Sequence, residues 1–106
     1  MSREVTIRDY KPEDADRLTE LMRELQGELI PIYDRMLPLD RLAAWYRDEV
    51  LAECTAAKGK ALVAEYDGRL VGYATVLVDV VANKRDEIAH SYALVGELLV
   101  DRKSVV

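Results

Sequence analysis

The spacing of apolar residues changes along the chain, and each change predicts an element of secondary structure. Val5–Arg8 alternates apolar and polar residues, which predicts a half-buried first strand. After Pro12 and two acidic residues, apolar residues recur at helical spacing and predict a first helix. Its apolar stripe consists of Ala15, Leu18, Leu21, Met22 and Leu25. Gly27 is expected to end this helix.

The next segments predict a connection and a second helix. Glu28–Pro38 mixes apolar residues with two prolines, which favours an irregular or partly helical connection. Asp40 is expected to cap a helix that runs to about Ala57, and Gly59 to close it. One face of this helix carries Leu42, Tyr46, Val50 and Cys54, with Trp45 beside them. We expect Trp45 and Tyr46 to be core anchors rather than ligand contacts.

Three strands are predicted in the second half of the chain. Ala61–Tyr66 and Leu70–Val78, the latter extending to about Val81, flank Asp67-Gly68, a strong signal for a two-residue hairpin turn. A charged turn is expected over residues 83–87. Tyr92–Val100 is the last strand, interrupted by Gly96-Glu97, and no helix is expected after it. These patterns predict a single α+β domain over residues 1–106, with a mainly antiparallel sheet.

Composition limits the function classes. The net charge of −5 argues against nucleic acid and is compatible with a cationic partner such as an amine, although an acidic surface often serves solubility alone. No run of about 18 apolar residues predicts a membrane span. The charged N-terminus has no apolar signal core behind it, so we expect a cytoplasmic protein that does not bind membranes.

The single cysteine and the single histidine bear on catalysis and on metal binding. Cys54 lies in an alanine-rich helical segment, which favours a buried apolar role over a nucleophilic one. His90 belongs to a different segment and is expected, with Tyr92, to serve packing or the surface. One cysteine and one histidine do not predict a zinc site, and we expect no metal.

Three segments in order resemble the opening half of the GNAT superfamily of N-acetyltransferases. Ile7–Ala15 is similar to the family's entry into the first helix, Leu62–Ala74 to the hairpin of its second and third strands, and Tyr92–Val100 to its fourth strand. The resemblance covers nearly the whole chain. It implies an acyl-CoA N-acyltransferase-like half-domain that ends before the family's pyrophosphate-binding loop, since no glycine follows Gly96.

The resemblance also implies a reaction and its residues. An amine, from a small molecule or a peptide, would attack the thioester of acetyl-CoA as co-substrate. The backbone of Leu98, Leu99 and Val100 would bind the pantetheine arm and polarise the thioester carbonyl. Glu97 is the candidate general base; alternatively, it is an ordinary strand glutamate that faces outward. Gly96 marks either a bulge or a close approach of packed groups.

The resemblance further implies that Tyr33, Asp34 and Met36, in the connection between the helices, lie near the acceptor pocket; the alternative role for them is structural. For the chain as given, which lacks the pyrophosphate-binding loop, we expect weak or no binding of acetyl-CoA, and whether it is active by itself stays open.

Two other interpretations stay open. The first is a non-catalytic, truncated module that acts by homodimerisation, strand-edge pairing or partner binding, because its last strand would leave an unpaired edge. The second is an unrelated small α+β ligand-binding domain.

Overall fold

The computed structural model describes residues 4–82, 85–86 and 88–101. Its four strands and two α-helices are β1 (Thr6–Asp9), α1 (Ala15–Leu29), α2 (Ala44–Ala56), β2 (Lys60–Tyr66), β3 (Arg69–Ala82) and β4 (His90–Val100). Short 3-10 turns at Pro12–Asp14 and Leu39–Arg41 precede the helices. The predicted order of elements is therefore confirmed. The segment 83–87, in which a charged turn was expected, lies partly outside the described residues. The segment 102–106, in which no helix was expected, lies wholly outside them.

The four strands form one antiparallel sheet in the order β1-β2-β3-β4. The turn between β2 and β3 is the predicted one, with φ of 52° at Asp67 and 77° at Gly68. Positive φ at both central residues gives a two-residue turn the same twist as the flanking strands. This local geometry sets the register of the hairpin, in which Tyr66 pairs with Arg69.

Both helices cover the same face of the sheet. Their apolar side chains meet inward-facing residues of β2 and β3, and the buried cluster consists of Leu18, Leu21, Met22, Val63, Leu70 and Tyr73. Tyr46, Val50 and Leu51 of α2 pack against this cluster. The stripe predicted for the first helix is confirmed at its centre, because Leu18, Leu21 and Met22 are almost fully buried.

Two of the helix boundaries predicted from single residues, at Gly27 and Asp40, are wrong, whereas the predicted close of the second helix at Gly59 is confirmed. Gly27 lies inside α1, which continues to Leu29, and Pro31 follows the cap residue Ile30. Proline has no N–H to continue the helical ladder, whereas one glycine in a helix is tolerated. Asp40 lies in the preceding 3-10 turn, because the extended backbone of the buried Leu42 interrupts the helical path and α2 begins only at Ala44.

The C-terminal end of α2 is fastened to β3. Lys58 adopts φ of 57°, and the N–H of Gly59 donates to the Cys54 carbonyl at 2.8 Å, which is a Schellman closure. The Ala57 carbonyl accepts from the backbone N–H groups of both Val78 and Asp79, at 3.0 and 2.8 Å. A Cβ atom at Gly59 would lie only 1.7 Å from the Val76 carbonyl oxygen, so glycine permits this close approach.

The first strand pairs within the sheet as expected, but the prediction that its apolar residues face the core is wrong. Ile7 is 63% exposed, because it lies on the sheet face that neither helix covers. Arg8 instead points toward the helices and donates to both carboxylate oxygens of Asp14, at 2.8 and 2.9 Å. This bidentate contact, opposed by burial, holds the pKa of Asp14 below its ordinary value. A charged network therefore occupies the side of β1 where the alternation predicted an apolar residue.

The far end of β4 is also tied to the helical layer. The Asp101 N–H donates to the Val71 carbonyl at 2.6 Å, and the buried Asp101 carboxylate accepts from the Arg17 guanidinium at 3.1 Å. Arg17 also donates to the Leu70 carbonyl. These contacts hold the C-terminal half of β4 in a defined position beside α1.

Candidate functional site

A bulge in β4 shapes the candidate site. Thr75 pairs with Glu97 and the next residue, Val76, pairs with Val95, so Gly96 is an extra residue without a partner. A Cβ atom at Gly96 would lie 2.8 Å from Thr75 Oγ1 and 3.0 Å from Leu77 Cδ1. The Glu97 N–H donates to the same Thr75 hydroxyl oxygen at 2.8 Å. Both roles considered for Gly96, bulge and close packing, are therefore present.

Glu97 lies on the helical side of the sheet and is held by two tyrosines. The Tyr46 hydroxyl donates to Oε2 and the Tyr73 hydroxyl donates to Oε1, each at 2.6 Å. Such short bonds to a carboxylate are stronger than neutral ones. Burial and then the Glu97 carboxylate raise the pKa of both phenols above the ordinary value of 10.0, so both remain donors at neutral pH. Glu97 is not an outward-facing strand glutamate.

A pocket of about 270 Å³ opens beside Glu97, between α1, the connection that follows it, and β4. Its lining consists of Met22, Leu25, Gln26, Leu29, Met36, Tyr46, Gly96, Glu97 and Leu98. The Gln26 side-chain amide donates to the Leu37 carbonyl at 2.9 Å and so anchors the segment that carries Met36. The carboxylate therefore lies at the wall of a pocket whose other side chains are mostly apolar.

The structure brings one of the three predicted acceptor-side residues to this pocket. Met36 lines it together with Glu97. Tyr33, which is 57% exposed, and Asp34 lie on the outer part of the connection and are not in the lining. The resemblance placed this connection near the acceptor pocket, but the sequence does not show which of its residues turns inward.

The residues predicted to bind a cofactor lie on the strand next to Glu97. The side chains of Leu98 and Val100 face the uncovered side of the sheet, where a shallow apolar hollow of about 140 Å³ also involves Ile7 and Leu62. Leu99 packs toward the buried cluster on the other side. Among the described residues, β4 pairs only with β3, so its second edge presents backbone groups that no strand covers.

Sequence reasoning missed the part that two tyrosines play. Tyr46 was expected to anchor the core and Tyr73 was part of the hairpin motif, yet their hydroxyls converge on one carboxylate. A tyrosine at a buried strand position requires a partner for its hydroxyl, and this was the available signal. Trp45 is not a core anchor: it is 45% exposed, and its indole N–H donates to the Arg41 carbonyl.

The remaining candidates do not join this site. Cys54 is buried, as predicted, and burial raises the pKa of its thiol, which disfavours the nucleophilic thiolate. His90 is exposed at the start of β4, with its ring near that of Tyr92.

No group of three or more His, Cys, Asp or Glu side chains suited to a metal ion occurs within residues 4–82, 85–86 and 88–101. Over the same ranges, neither helix has the length and apolar character needed to cross a bilayer.

Comparison with known proteins identifies the fold. The sequence matches no protein-family model and no curated protein at a significant level. Among solved structures, a possible acetyltransferase from Clostridium difficile 630 has a TM-score of 0.61 at 17% identity, over 93% of this chain and 59% of that chain. A GNAT family acetyltransferase from Brucella melitensis in complex with acetyl-CoA has a TM-score of 0.54 at 20% identity, over 96% of this chain and 58% of that chain.

This chain therefore spans less than two thirds of the length of either protein. The predicted α+β arrangement, a four-stranded antiparallel sheet with two helices, is confirmed, and it matches part of the fold of these two acetyltransferases.

Proposed function

We propose that this chain provides the amine-binding and base-bearing part of an acetyl-CoA-dependent N-acetyltransferase. The observation that carries the proposal is the position of Glu97, which follows a bulge in β4 and borders the pocket beside α1. The fold shared with two acetyltransferases supports it, as does the acetyl-CoA present in the Brucella melitensis complex.

The residues of this chain would act in defined ways. Acetyl-CoA supplies the acetyl group as a thioester. Glu97 accepts the proton that the amine nitrogen loses as it bonds to the acetyl carbon, directly or through one water. The C–S bond breaks and the sulfur leaves as a thiolate. Tyr46 and Tyr73 do not act on the substrate in this scheme; their hydrogen bonds fix the position of the carboxylate.

The free edge of β4 provides the second part of the proposed site. Main-chain groups of Leu98–Val100 would bind the pantetheine arm in the manner of an added strand, and one N–H would stabilise the developing negative charge on the thioester oxygen. The exposed apolar side chains of Leu98 and Val100 fit the mixed polar and apolar character of that arm. These groups follow Glu97 directly, so the proposed base and the thioester site lie on one rigid strand.

Titration with S-acetylpantetheine tests this assignment. In amide NMR spectra, we expect the signals of Leu98–Val100 to shift on addition of S-acetylpantetheine or acetyl-CoA. Acetyl-CoA is expected to bind only weakly, because the glycine-rich loop that would bind its pyrophosphate is not within residues 1–106. S-acetylpantetheine has no pyrophosphate, so it should bind about as well as acetyl-CoA. ADP, which lacks the arm, is the control and should leave these signals unchanged. Unchanged β4 signals at saturating S-acetylpantetheine, or shifts confined to other elements, would contradict the proposal.

The second candidate function is a module that pairs with a second copy of itself through β4. The outer edge of this strand carries no Asp, Glu, Lys or Arg from His90 to Gly96, whereas the other sheet edge, β1, is four residues long and carries Arg8 and Asp9. An uncharged edge can pair antiparallel with its own copy without opposing like charges.

Sedimentation at increasing protein concentration tests this second candidate. We expect a monomer–dimer equilibrium that Leu94→Lys abolishes, because a lysine on an edge strand opposes pairing. Ile32→Lys is the matched control, since Ile32 is also exposed but lies in the connection after α1. A chain that stays monomeric at all concentrations, or a dimer unaffected by Leu94→Lys, would exclude pairing through this edge.

A further inference from the structure

The lining of the pocket beside Glu97 indicates which kind of acceptor amine can bind there, provided that the proposed acetyl transfer is correct. Four of its lining side chains are hydrocarbon or thioether: Met22, Leu25, Leu29 and Met36. Apolar walls with a few oriented polar groups are typical of small-molecule sites. An acceptor in this pocket therefore meets apolar side chains beside the polar groups of the lining.

The polar groups in the lining are few and largely engaged. The Gln26 amide nitrogen donates to the Leu37 carbonyl, and the Tyr46 hydroxyl donates to Glu97. Each oxygen of Glu97 accepts one tyrosine hydroxyl, which leaves each with further capacity to accept a proton donor. The carboxylate is thus the group best able to bind a polar part of a ligand.

The charge of the lining is negative. Within the part of the chain that the structure describes, it contains one carboxylate and no Lys, Arg or His residue. A cationic ammonium group is attracted to Glu97, whereas an anionic group would meet a like charge without a compensating cation. A second ammonium on the same ligand would lie against methionine and leucine side chains, where an unpaired charge is strongly disfavoured.

The size of the pocket limits the ligand further. Its volume of about 270 Å³ is at or below the range of about 300–1,000 Å³ that is typical of drug-sized ligands. We infer that the acceptor is a small primary amine with a single positive charge on a hydrocarbon body, seated with its nitrogen at Glu97. Diamines, polyamines and amines that carry a carboxylate are then expected to be poorer acceptors.

Four probes of similar size separate the contributions of charge and apolar body. They are isoamylamine, the neutral isoamyl alcohol, the dication cadaverine and the anion isovalerate, each titrated against the methyl NMR signals of Met22 and Met36. We expect isoamylamine to bind best. Cadaverine and the alcohol should bind about tenfold more weakly or worse, and isovalerate should not bind.

Substitution of the carboxylate provides the second arm of the test. Glu97→Gln should weaken isoamylamine binding by about ten- to hundredfold while leaving the alcohol unchanged, so the alcohol also reports that the pocket is intact. Glu49→Gln removes the same charge from an exposed position of α2 and should alter neither affinity.

The outcomes separate this inference from the proposed function. Cadaverine binding as tightly as isoamylamine, isovalerate binding, or no binding by any probe would overturn the inference, even if S-acetylpantetheine still shifts the β4 signals. Selective isoamylamine binding that depends on Glu97, without any response of β4 to S-acetylpantetheine, would support the amine pocket and contradict the acetyl-transfer proposal.

Discussion

Replacement of Gly59 by alanine is expected to destabilise the protein by more than about 3 kcal/mol. The new Cβ atom would lie 1.7 Å from the Val76 carbonyl oxygen and 2.7 Å from the Val76 carbonyl carbon. Val76 pairs with Lys60 on one side and with Val95 on the other, so its backbone cannot retreat without loss of sheet pairing. Urea unfolding followed by circular dichroism measures the effect. Since small domains have about 5–15 kcal/mol of stability, the urea midpoint of the variant should fall markedly.

Gly27→Ala is the matched control, because it introduces the same methyl group at a glycine with room for it. Gly27 lies inside α1, and its Cβ atom would meet a Leu39 methyl group at 3.8 Å, an ordinary contact. Alanine is favoured over glycine in a helix, so this variant should be more stable by about 0.5–1 kcal/mol. A Gly59→Ala midpoint close to that of the wild type would show that α2 does not end against β3 in this way.

Glu97→Gln is expected to lower the rate of acetyl transfer by about 10²- to 10⁴-fold, the usual contribution of a general base. Glutamine keeps the shape of the side chain: its carbonyl oxygen can still accept one tyrosine hydroxyl and its NH2 group can donate to the other, but it cannot take up the amine proton. Release of free CoA thiol from acetyl-CoA in the presence of isoamylamine measures the rate. Circular dichroism of the variant confirms that the fold is retained.

Variants at the neighbouring tyrosines separate proton transfer from positioning. Tyr46→Phe and Tyr73→Phe each leave the carboxylate in place and remove one of its hydrogen bonds, so we expect smaller losses, of about tenfold. Glu49→Gln on the exposed face of α2 should have no effect on the rate. A Glu97→Gln variant with the wild-type rate would show that the amine proton leaves by another route.

The features that short sequence segments could predict are those governed by local geometry. Asp67-Gly68 predicts its turn because few residue pairs tolerate positive φ at both positions. Gly96 was expected either to mark a bulge or to permit close packing, and it does both. Helix ends were less predictable. Gly27 and Asp40 are ordinary stop and cap residues, but Pro31 and the buried Leu42 determine the actual limits of the helices.

The face that each strand residue occupies was harder to predict, because it depends on what covers the sheet. Ile7 has the spacing of a buried residue, yet both helices lie on the opposite side and leave it exposed. Trp45 has the character of a core anchor, yet Tyr46 next to it takes the inward position on α2.

The sequence alone determined the order of the elements, the hairpin and the interrupted last strand, since turns and hydrophobic periods depend on neighbouring residues. Only the tertiary structure decided that Glu97 faces the helices, that Tyr46 and Tyr73 hold it, and that Met36 rather than Tyr33 borders its pocket. Tyr46 and Glu97 are 51 positions apart in the chain, and their contact depends on how α2 packs across the sheet. Packing between distant segments is not encoded in any local pattern, so the candidate site could be assembled only from the folded chain.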